Sequence, residues 1–205
     1  MFRAIEWQTG GVMTALPDHS PDRLLTVAEY AELGEPAFGY TELVEGRLLM
    51  SPSPTPRHNI ASGELYVQLR PQLPGGLAVV QDVDVDLGLV PADAPGFSRR
   101  PDLVVVESAA VDRVSGEGGM LRAAEVAVVI EIVSPSSHRI DYKHKHGEYA
   151  DAGIPHYWIV DLSEPVSLVA SHLAGEFGYA DASAVTETFA TSVPFDVRLD
   201  LTQLT

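Results

Sequence analysis

The chain has 205 residues, no cysteine and a formal net charge of −16 at pH 7. The length and the 45% hydrophobic content predict one domain with a sizeable core. The lack of cysteine excludes disulfides, thiolate metal sites and a cysteine nucleophile, and the acidic charge argues against a general nucleic-acid binder, because neutralising phosphates requires a basic surface.

The N-terminal segment differs in composition from the rest of the chain. Residues 1–23 are mixed and contain two glycines and two prolines, which predicts a loose leader before a single domain over 24–205. The leader lacks the basic-then-apolar layout of a signal peptide, and the longest apolar runs are too short to span a membrane. Together with the lack of cysteine, these features favour a cytoplasmic protein without a membrane partner.

The first predicted elements are a short helix and a hairpin. Thr26 is followed three residues later by Glu29, a spacing that predicts a capping box at the start of a helix. The segment "YTELVEGRLLMSP" then predicts two short strands around a turn at Glu45 and Gly46.

A longer helix and an alternating strand come next. Thr55 fits an N-cap and Pro56 the first position of a helix that runs to about Arg70. In "LAVVQDVDVDLGLV" valines and aspartates alternate, which predicts one half-buried strand. Its polar face carries Asp82, Asp84 and Asp86. A polar strand face explains this row, and the alternative is a second cation site.

Three β-branched runs predict the buried strands of the core. They are "PDLVVVE", "EVAVVIEIVS" and "HYWIVDL". Between the first two lies a predicted loop with a short helical piece, and between the last two a helix that stops at Gly153 before Pro155. Segments near 165–171, 176–180, 186–190 and 196–201 predict trailing antiparallel strands. The fold class is therefore α/β, with a mixed central β-sheet flanked by helices and extra antiparallel strands at the C-terminus.

Two acids stand at the buried strands. Glu131 has apolar neighbours on both sides, so its charge requires a cation, a metal or a proton. Asp102 opens a buried strand directly after Pro101. Taken separately, Glu131 is explained by a structural ion pair with an arginine, and Asp102 by a strand-end aspartate that caps a turn. Together, on neighbouring strands about 4.8 Å apart, they suit Mg²⁺, which takes one or two carboxylates and keeps several waters.

The two lysines of the chain lie together in "HRIDYKHKHGEY", with three of the seven histidines. A lysine beside a metal-bound water can orient it and stabilise the charge that develops in phosphodiester hydrolysis. The alternative is a solvated helix face on which Asp141 and Lys145 form an i,i+4 pair. Helical phase does not decide between Lys143 and Lys145, which flank the apolar stripe on opposite sides.

Four ordered blocks resemble a known family. They are "YTELVEGRLLMSPSPTPRH", "RRPDLVVVE", "EVAVVIEIVSPSS" and "DYKHKHGEYADAGIPHYWIVD". They resemble the Uma-two family of restriction-endonuclease-like proteins, in the PD-(D/E)XK nuclease superfamily. The resemblance extends from about Leu25 to Leu162 and implies a restriction-endonuclease-like core.

The resemblance also implies residue roles. Asp102 and Glu131 match the metal ligands, with the Ile132 carbonyl as a third, for Mg²⁺ or its substitute Mn²⁺. The superfamily pattern places the lysine two residues after the glutamate, where this chain has Val133. The family moves it into the following helix, in the pattern D-x-x-x-K-x-x-x-Y-A, which favours Lys145.

Further polar positions have less defined roles. Glu42 and His58 match two positions of the family signature, and the alternatives are an exposed strand residue and a solvated residue of a first helical turn. Among the basic residues near the predicted site in sequence, Arg100, Arg139 and Lys143 are candidate DNA contacts.

These patterns predict a metal-dependent endonuclease that hydrolyses DNA phosphodiester bonds. One alternative is a nuclease fold kept as a binding or assembly module with little or no catalysis, and another is a metal hydrolase of a smaller phosphate ester. We also predict a homodimer, because apolar strands in "PVSLVA" and "PFDVRLDL" could pair across a two-fold axis.

Overall fold

The computed structural model describes residues 23–34, 39–51, 53–133 and 141–205. Within these ranges the α-helices are α1 (Val27–Glu32), α2 (Pro56–Leu69), α3 (Ser108–Glu117) and α4 (Asp141–Asp151). The strands are β1 (Tyr40–Val44), β2 (Arg47–Ser51), β3 (Leu77–Gln81), β4 (Val85–Asp86), β5 (Ser98–Arg99), β6 (Leu103–Glu107), β7 (Leu121–Arg122), β8 (Val126–Val133), β9 (His156–Asp161), β10 (Ser167–Leu173), β11 (Tyr179–Asp181), β12 (Val185–Thr186), β13 (Thr188–Thr191) and β14 (Val197–Asp200). None of the described helices is long and apolar enough to cross a membrane.

A mixed sheet organises the described residues. Its strands follow the order β11-β10-β9-β8-β6-β3, with β12 also paired to β10. Strands β8 and β9 are parallel and their neighbours antiparallel. A smaller sheet has the order β2-β1-β5-β4-β7, and β13 and β14 form a separate hairpin. The predicted α/β class, with a mixed sheet and trailing antiparallel strands, is confirmed.

The central sheet separates two apolar clusters. Side chains alternate along β8, so Val128 and Ile130 lie in one cluster and Val129 in the other. The first cluster includes buried residues of α2 and of the β13–β14 hairpin, and the second includes Tyr149 of α4 and Ala110 of α3. Each face of the sheet is therefore covered, and helices on both faces carry polar side chains to its edge.

Local signals place several elements as predicted. The N–H of Glu29 donates to Thr26 Oγ1 at 3.2 Å and the N–H of Thr26 donates to Glu29 Oε2 at 2.9 Å, which is the capping box. Thr55 caps α2 by accepting from the N–H of His58 at 3.3 Å. At the β1–β2 turn, Glu45 has a φ of 51° and the following glycine is also left-handed. These features each depend on residues close in sequence.

The predicted single strand over the aspartate row is wrong. Strand β3 ends at Gln81, Asp82 adopts a left-handed φ of 50°, and β4 joins the smaller sheet. Aspartate tolerates this conformation better than most residues, and the N–H of Asp82 donates to the carbonyl of Asp102 at 3.2 Å. The aspartates therefore do not share one strand face.

Helix α3 is longer than predicted. The sequence indicated a loop with a short helical piece, whereas Ser108–Glu117 forms ten residues of helix. Ala110 is buried in the second cluster and Val111 and Val114 pack against it. This tertiary packing outweighs the serine and glycine content that favoured a loop.

Both strands predicted to form a dimer are occupied within the protomer. Strand β10 pairs with β9 on one edge and with β11 and β12 on the other. The outer edge of β14 is bound by amides of α2: Gln72 exchanges hydrogen bonds of 2.9 Å with Arg198 N–H and C=O, and Gln68 bonds Asp200 N–H at 2.7 Å and C=O at 3.1 Å. These contacts occupy much of the edges through which the two strands were expected to pair across a two-fold axis, and the homodimer itself stays a prediction.

Gln68 and Gln72, which cover the outer edge of β14, are expected to stabilise the protein. Replacing Gln68 and Gln72 together with alanine removes four hydrogen bonds to β14 and opens a strand edge. We expect the free energy of unfolding to fall by about 1–3 kcal/mol, measured by urea denaturation. Gln203→Ala is the control, since Gln203 contacts the side chains of Thr202 and Asp200 rather than the backbone edge of β14. Equal stability of the double variant and the control would show that water replaces the amides without loss.

Candidate functional site

Asp102 and Glu131 meet where β6 and β8 separate. The last paired residues are Leu103 and Ile130, and one further step along the antiparallel register sets Asp102 opposite Glu131. Asp102 Oδ2 accepts the N–H of Ile132 at 2.6 Å, so the aspartate side chain is bound to the backbone of β8. The sequence predicts these acids side by side, and in the structure they are near enough for the charge of Asp102 to raise the pKa of Glu131.

Lys145 is buried between two acids. It is 9% exposed, and its Nζ lies 3.0 Å from Glu131 Oε1 and 3.2 Å from Glu42 Oε1. Tyr149, one helical turn further along α4, donates its hydroxyl to the same Glu131 oxygen at 2.8 Å. The alternative of a solvated helix face is therefore wrong for Lys145. In the pattern D-x-x-x-K-x-x-x-Y-A, both the lysine and the tyrosine contact Glu131.

Glu42 is held by a second cation that the sequence did not single out. Arg99 NH1 lies 2.8 Å from Glu42 Oε2, while its Nε and NH2 bind Glu148 at 2.6 and 2.8 Å. The N–H of Arg100 donates to Glu42 Oε1 at 3.1 Å. Glu42 is thus a buried residue of the site rather than an exposed strand residue. The sequence signal for this clamp was Glu148. It follows Lys145 by three residues and therefore lies beside it on the helix surface.

Removing the Arg99 clamp should cost stability. Arg99→Met would leave Glu42 and Glu148 without their shared partner, and breaking one side of a buried ion pair typically costs about 3–5 kcal/mol. The measurement is the free energy of unfolding in urea. Arg57→Met is the matched control, because its pair with Glu164 at 3.0 Å is largely exposed and should contribute little. Equal losses in the two variants would contradict a buried role for Arg99.

His58 reaches the site from α2. Its Nε2 lies 3.1 Å from Asp102 Oδ1, and both side chains are mostly buried, so His58 is not a solvated first-turn residue. The hydrogen bond to Asp102 raises the pKa of His58 against the opposing effect of burial. Its Nδ1 is buried and has no hydrogen-bond partner among the described residues. His58 therefore fixes one oxygen of Asp102 while the N–H of Ile132 fixes the other.

Burial and charge act in opposite directions on the central pair. Burial raises the pKa of Glu131 to about 7, with the charges of Asp102 and Glu42 adding to the rise and Lys145 opposing it. Burial alone would lower the pKa of Lys145, but the charges of Glu131 and Glu42 outweigh it and raise that pKa. Lys145 therefore stays protonated, and Glu131 is the acid whose ionised form is disfavoured by burial and by the neighbouring carboxylates.

The donor set of the site fits a hard divalent cation. Four carboxylates meet two fixed cations here: Glu42, Asp102, Glu131 and Glu148 against Arg99 and Lys145. Within the described ranges, no group of three or more histidine, aspartate or glutamate side chains is arranged to hold a metal ion. Mg²⁺ accepts one or two carboxylate ligands and fills its other coordination positions with water or backbone oxygens.

The predicted DNA contacts fall into two groups. Arg100 donates from Nε to the carbonyl of Asp82 at 2.9 Å and stacks 4.7 Å from the Tyr40 ring centre, so a phosphate would compete with these contacts. Arg139 and the side chain of Lys143 lie outside the described residues.

Asp82, the first aspartate of the row after β3, lies near the site. Its pKa is raised by burial and by the charge of Asp102.

Comparison with known proteins indicates the fold and the family of this chain. A crystal structure described as a "putative nuclease belonging to DUF820" from Anabaena variabilis ATCC 29413 matches with a TM-score of 0.63 and 17% sequence identity, covering 88% of this chain and 97% of that chain. At this identity the likeness shows the fold alone, which is nuclease-like. A family model described as "Uma2: Putative restriction endonuclease" matches residues 27–195, so the chain belongs to the Uma2 family, as the four sequence blocks indicated. No curated protein matches the chain.

Proposed function

We propose that this protein is a metal-dependent endonuclease that hydrolyses DNA phosphodiester bonds. The observation that carries the proposal is the buried lysine between Glu131 and Glu42, beside Asp102. Removing these charges from water is costly, and a fold kept only for binding or assembly has no need of them. The family, described as "Putative restriction endonuclease", supports the same reaction class.

Asp102 and Glu131 would hold Mg²⁺, or Mn²⁺ in its place, with the Ile132 carbonyl as a third ligand. The surplus of carboxylates at the site supports this assignment. When bound, the metal supplies charge neutralisation at the phosphate and a water of lowered pKa. The chain itself orients Asp102, through His58 Nε2 on one oxygen and the Ile132 N–H on the other.

Lys145 supplies positive charge where negative charge develops on the phosphate. Glu42 and Glu131 hold its ammonium group from two sides, so little reorganisation is required during the reaction. Tyr149 fixes the Glu131 oxygen that Lys145 contacts. In this scheme Lys145 and the two acids are catalytic, while Glu42, His58 and Tyr149 are positioning residues.

The decisive experiment is cleavage of supercoiled plasmid, linear duplex and single-stranded DNA with Mg²⁺, Mn²⁺ or chelator. We expect cleavage that requires metal and is lost in Asp102→Ala and Glu131→Ala. Circular dichroism shows whether the variants remain folded. Cleavage that persists in chelator or in both variants would refute the proposal. Light scattering in the same buffer tests the homodimer, which remains a prediction.

A further inference from the structure

Two histidines face each other on neighbouring strands of the central sheet. The register of β9 and β10 pairs His156 with His172. The next N–H along β10, that of Leu173, donates to the carbonyl of Pro155 at 2.9 Å. Because hydrogen-bonded and non-hydrogen-bonded pairs alternate in an antiparallel ladder, the histidines occupy a non-hydrogen-bonded pair, with Cα atoms about 4.5 Å apart and their side chains close.

Within the part of the chain that the structure describes, both imidazoles are available as ligands. The ring nitrogens of both histidines form no hydrogen bond or ion pair with any residue in the described part of the chain. His156 is half-buried and His172 is exposed. Burial, with the charge of His172, lowers the pKa of His156, so this ring is neutral at neutral pH and offers a lone pair. The two imidazoles lie on one sheet face, and imidazole is the commonest side-chain metal ligand.

The histidine pair lines a cleft that is separate from the acid site, that is, the site of Asp102, Glu131 and Lys145. The cleft has a volume of about 670 Å³, and its apolar lining includes Trp158, Leu168 and Phe189. Trp158 and Leu168 belong to the cluster that contains Val128 and Ile130. Glu131 projects to the opposite side of the sheet, because side chains alternate along β8. The histidine pair and the acid site are therefore separated by the sheet itself.

We propose that His156 and His172 chelate a divalent transition-metal ion of the kind that imidazole prefers, namely Zn²⁺, Ni²⁺ or Cu²⁺. Metal–nitrogen bonds of about 2.0–2.1 Å are within reach of two imidazoles on a close cross-strand pair. The remaining coordination positions face the cleft and are open to water. Imidazole ligands select against Mg²⁺, which favours oxygen, so this site and the acid site differ in the metals they bind.

Metal at this pair would join β9 to β10 through their side chains. Strand β9 also pairs with β8, which carries Glu131. A bound ion therefore stabilises the sheet on which the acid site is built without contacting that site. The expected result is a rise in melting temperature with Zn²⁺ that adds to any effect of Mg²⁺, since ligands that bind only the folded state at separate sites stabilise it independently.

The test is titration of the untagged protein with Zn²⁺ by isothermal calorimetry in excess Mg²⁺, with Cu²⁺ electron paramagnetic resonance to count nitrogen ligands. We expect one Zn²⁺ event that weakens about tenfold or more in His172→Ala and in His156→Ala, because each removes one of two ligands. The Cu²⁺ spectrum should change from two nitrogens to one. His172 is exposed, so its replacement should leave the fold intact.

His144→Ala is the matched control, because His144 is an exposed histidine on α4 and should not affect the event. The event should also persist in Glu131→Ala, which separates it from the acid site. Zn²⁺ binding that is unchanged in both His156→Ala and His172→Ala would overturn the proposal. Loss of binding in only one of the two would also overturn it, since it would indicate adsorption to a single histidine.

Discussion

Lys145→Met is expected to reduce DNA cleavage at saturating substrate and metal by at least about 10²–10³-fold. The side chain keeps most of its volume but loses the positive charge beside the phosphate, and loss of one such charge stabilisation commonly has this effect on kcat. The measurement is single-turnover cleavage of plasmid. Metal affinity should not fall, because Lys145 competes with the metal for Glu131 Oε1.

The same variant also tests stability. Without Lys145, Glu131 keeps the Tyr149 hydroxyl but has no cation beside it, and Glu42 keeps Arg99 as its cation. The loss of this buried partner would lower the free energy of unfolding by about 3–5 kcal/mol in the absence of metal. Activity must therefore be compared where circular dichroism shows both proteins folded. Lys143→Ala is the control, and it should mainly weaken DNA binding and reduce its salt dependence by up to about one phosphate. A fully active Lys145→Met with an inactive Lys143→Ala would show that the wrong lysine was assigned.

Glu131→Gln is expected to abolish cleavage and, without metal, to change how stability depends on pH. The pKa of Glu131 is about 7 in the folded protein and 4.5 in the unfolded reference. Between these values the folded state binds more protons, so stability of the metal-free wild type falls as pH rises from about 4.5 to 7. The variant lacks this fall, and we expect it to gain on the order of 3 kcal/mol over the wild type above pH 7.

Metal should reverse that difference. Mg²⁺ at 100 times its dissociation constant stabilises a folded protein by about 2.7 kcal/mol, so the wild type should gain stability with Mg²⁺ and Glu131→Gln should not. Urea unfolding across pH, with and without Mg²⁺, measures both effects. Glu164→Gln, an exposed acid, is the control. A wild type whose stability does not fall toward pH 7 would show that Glu131 is not the strained acid of the site.

Sequence reasoning succeeded where the signal was local or followed a family pattern. The caps at Thr26 and Thr55 depend on residues three apart, and the buried strands on continuous apolar runs. The choice of Lys145 came from the family register, since helical phase alone did not distinguish it from Lys143. Its burial agrees with that choice, while its role in catalysis stays a prediction.

What the sequence did not show depends on contacts between distant segments. Arg99 is 57 residues from Glu42 and 49 from Glu148, and nothing in its neighbourhood indicates a buried clamp. The break at Asp82 follows from tertiary hydrogen bonding, because the valine–aspartate alternation continues through it. Likewise, the glutamines that cover β14 lie 126 and 132 residues away from it in sequence, and polar helix residues ordinarily face water.

Among the described strands of the central sheet, β8 and β9 form the parallel pair. The chain segment that joins them contains α4. Two parallel strands require such a crossover, so a connection imposed by topology also carries Lys145. Strand β8 has a buried valine at position 133, where the superfamily pattern places its lysine. Local opening of α4, at a free energy below that of global unfolding, would withdraw the lysine from both acids while the sheet stays folded. Hydrogen exchange of α4 amides would then report the fraction of molecules competent for cleavage, separately from the fraction that is folded.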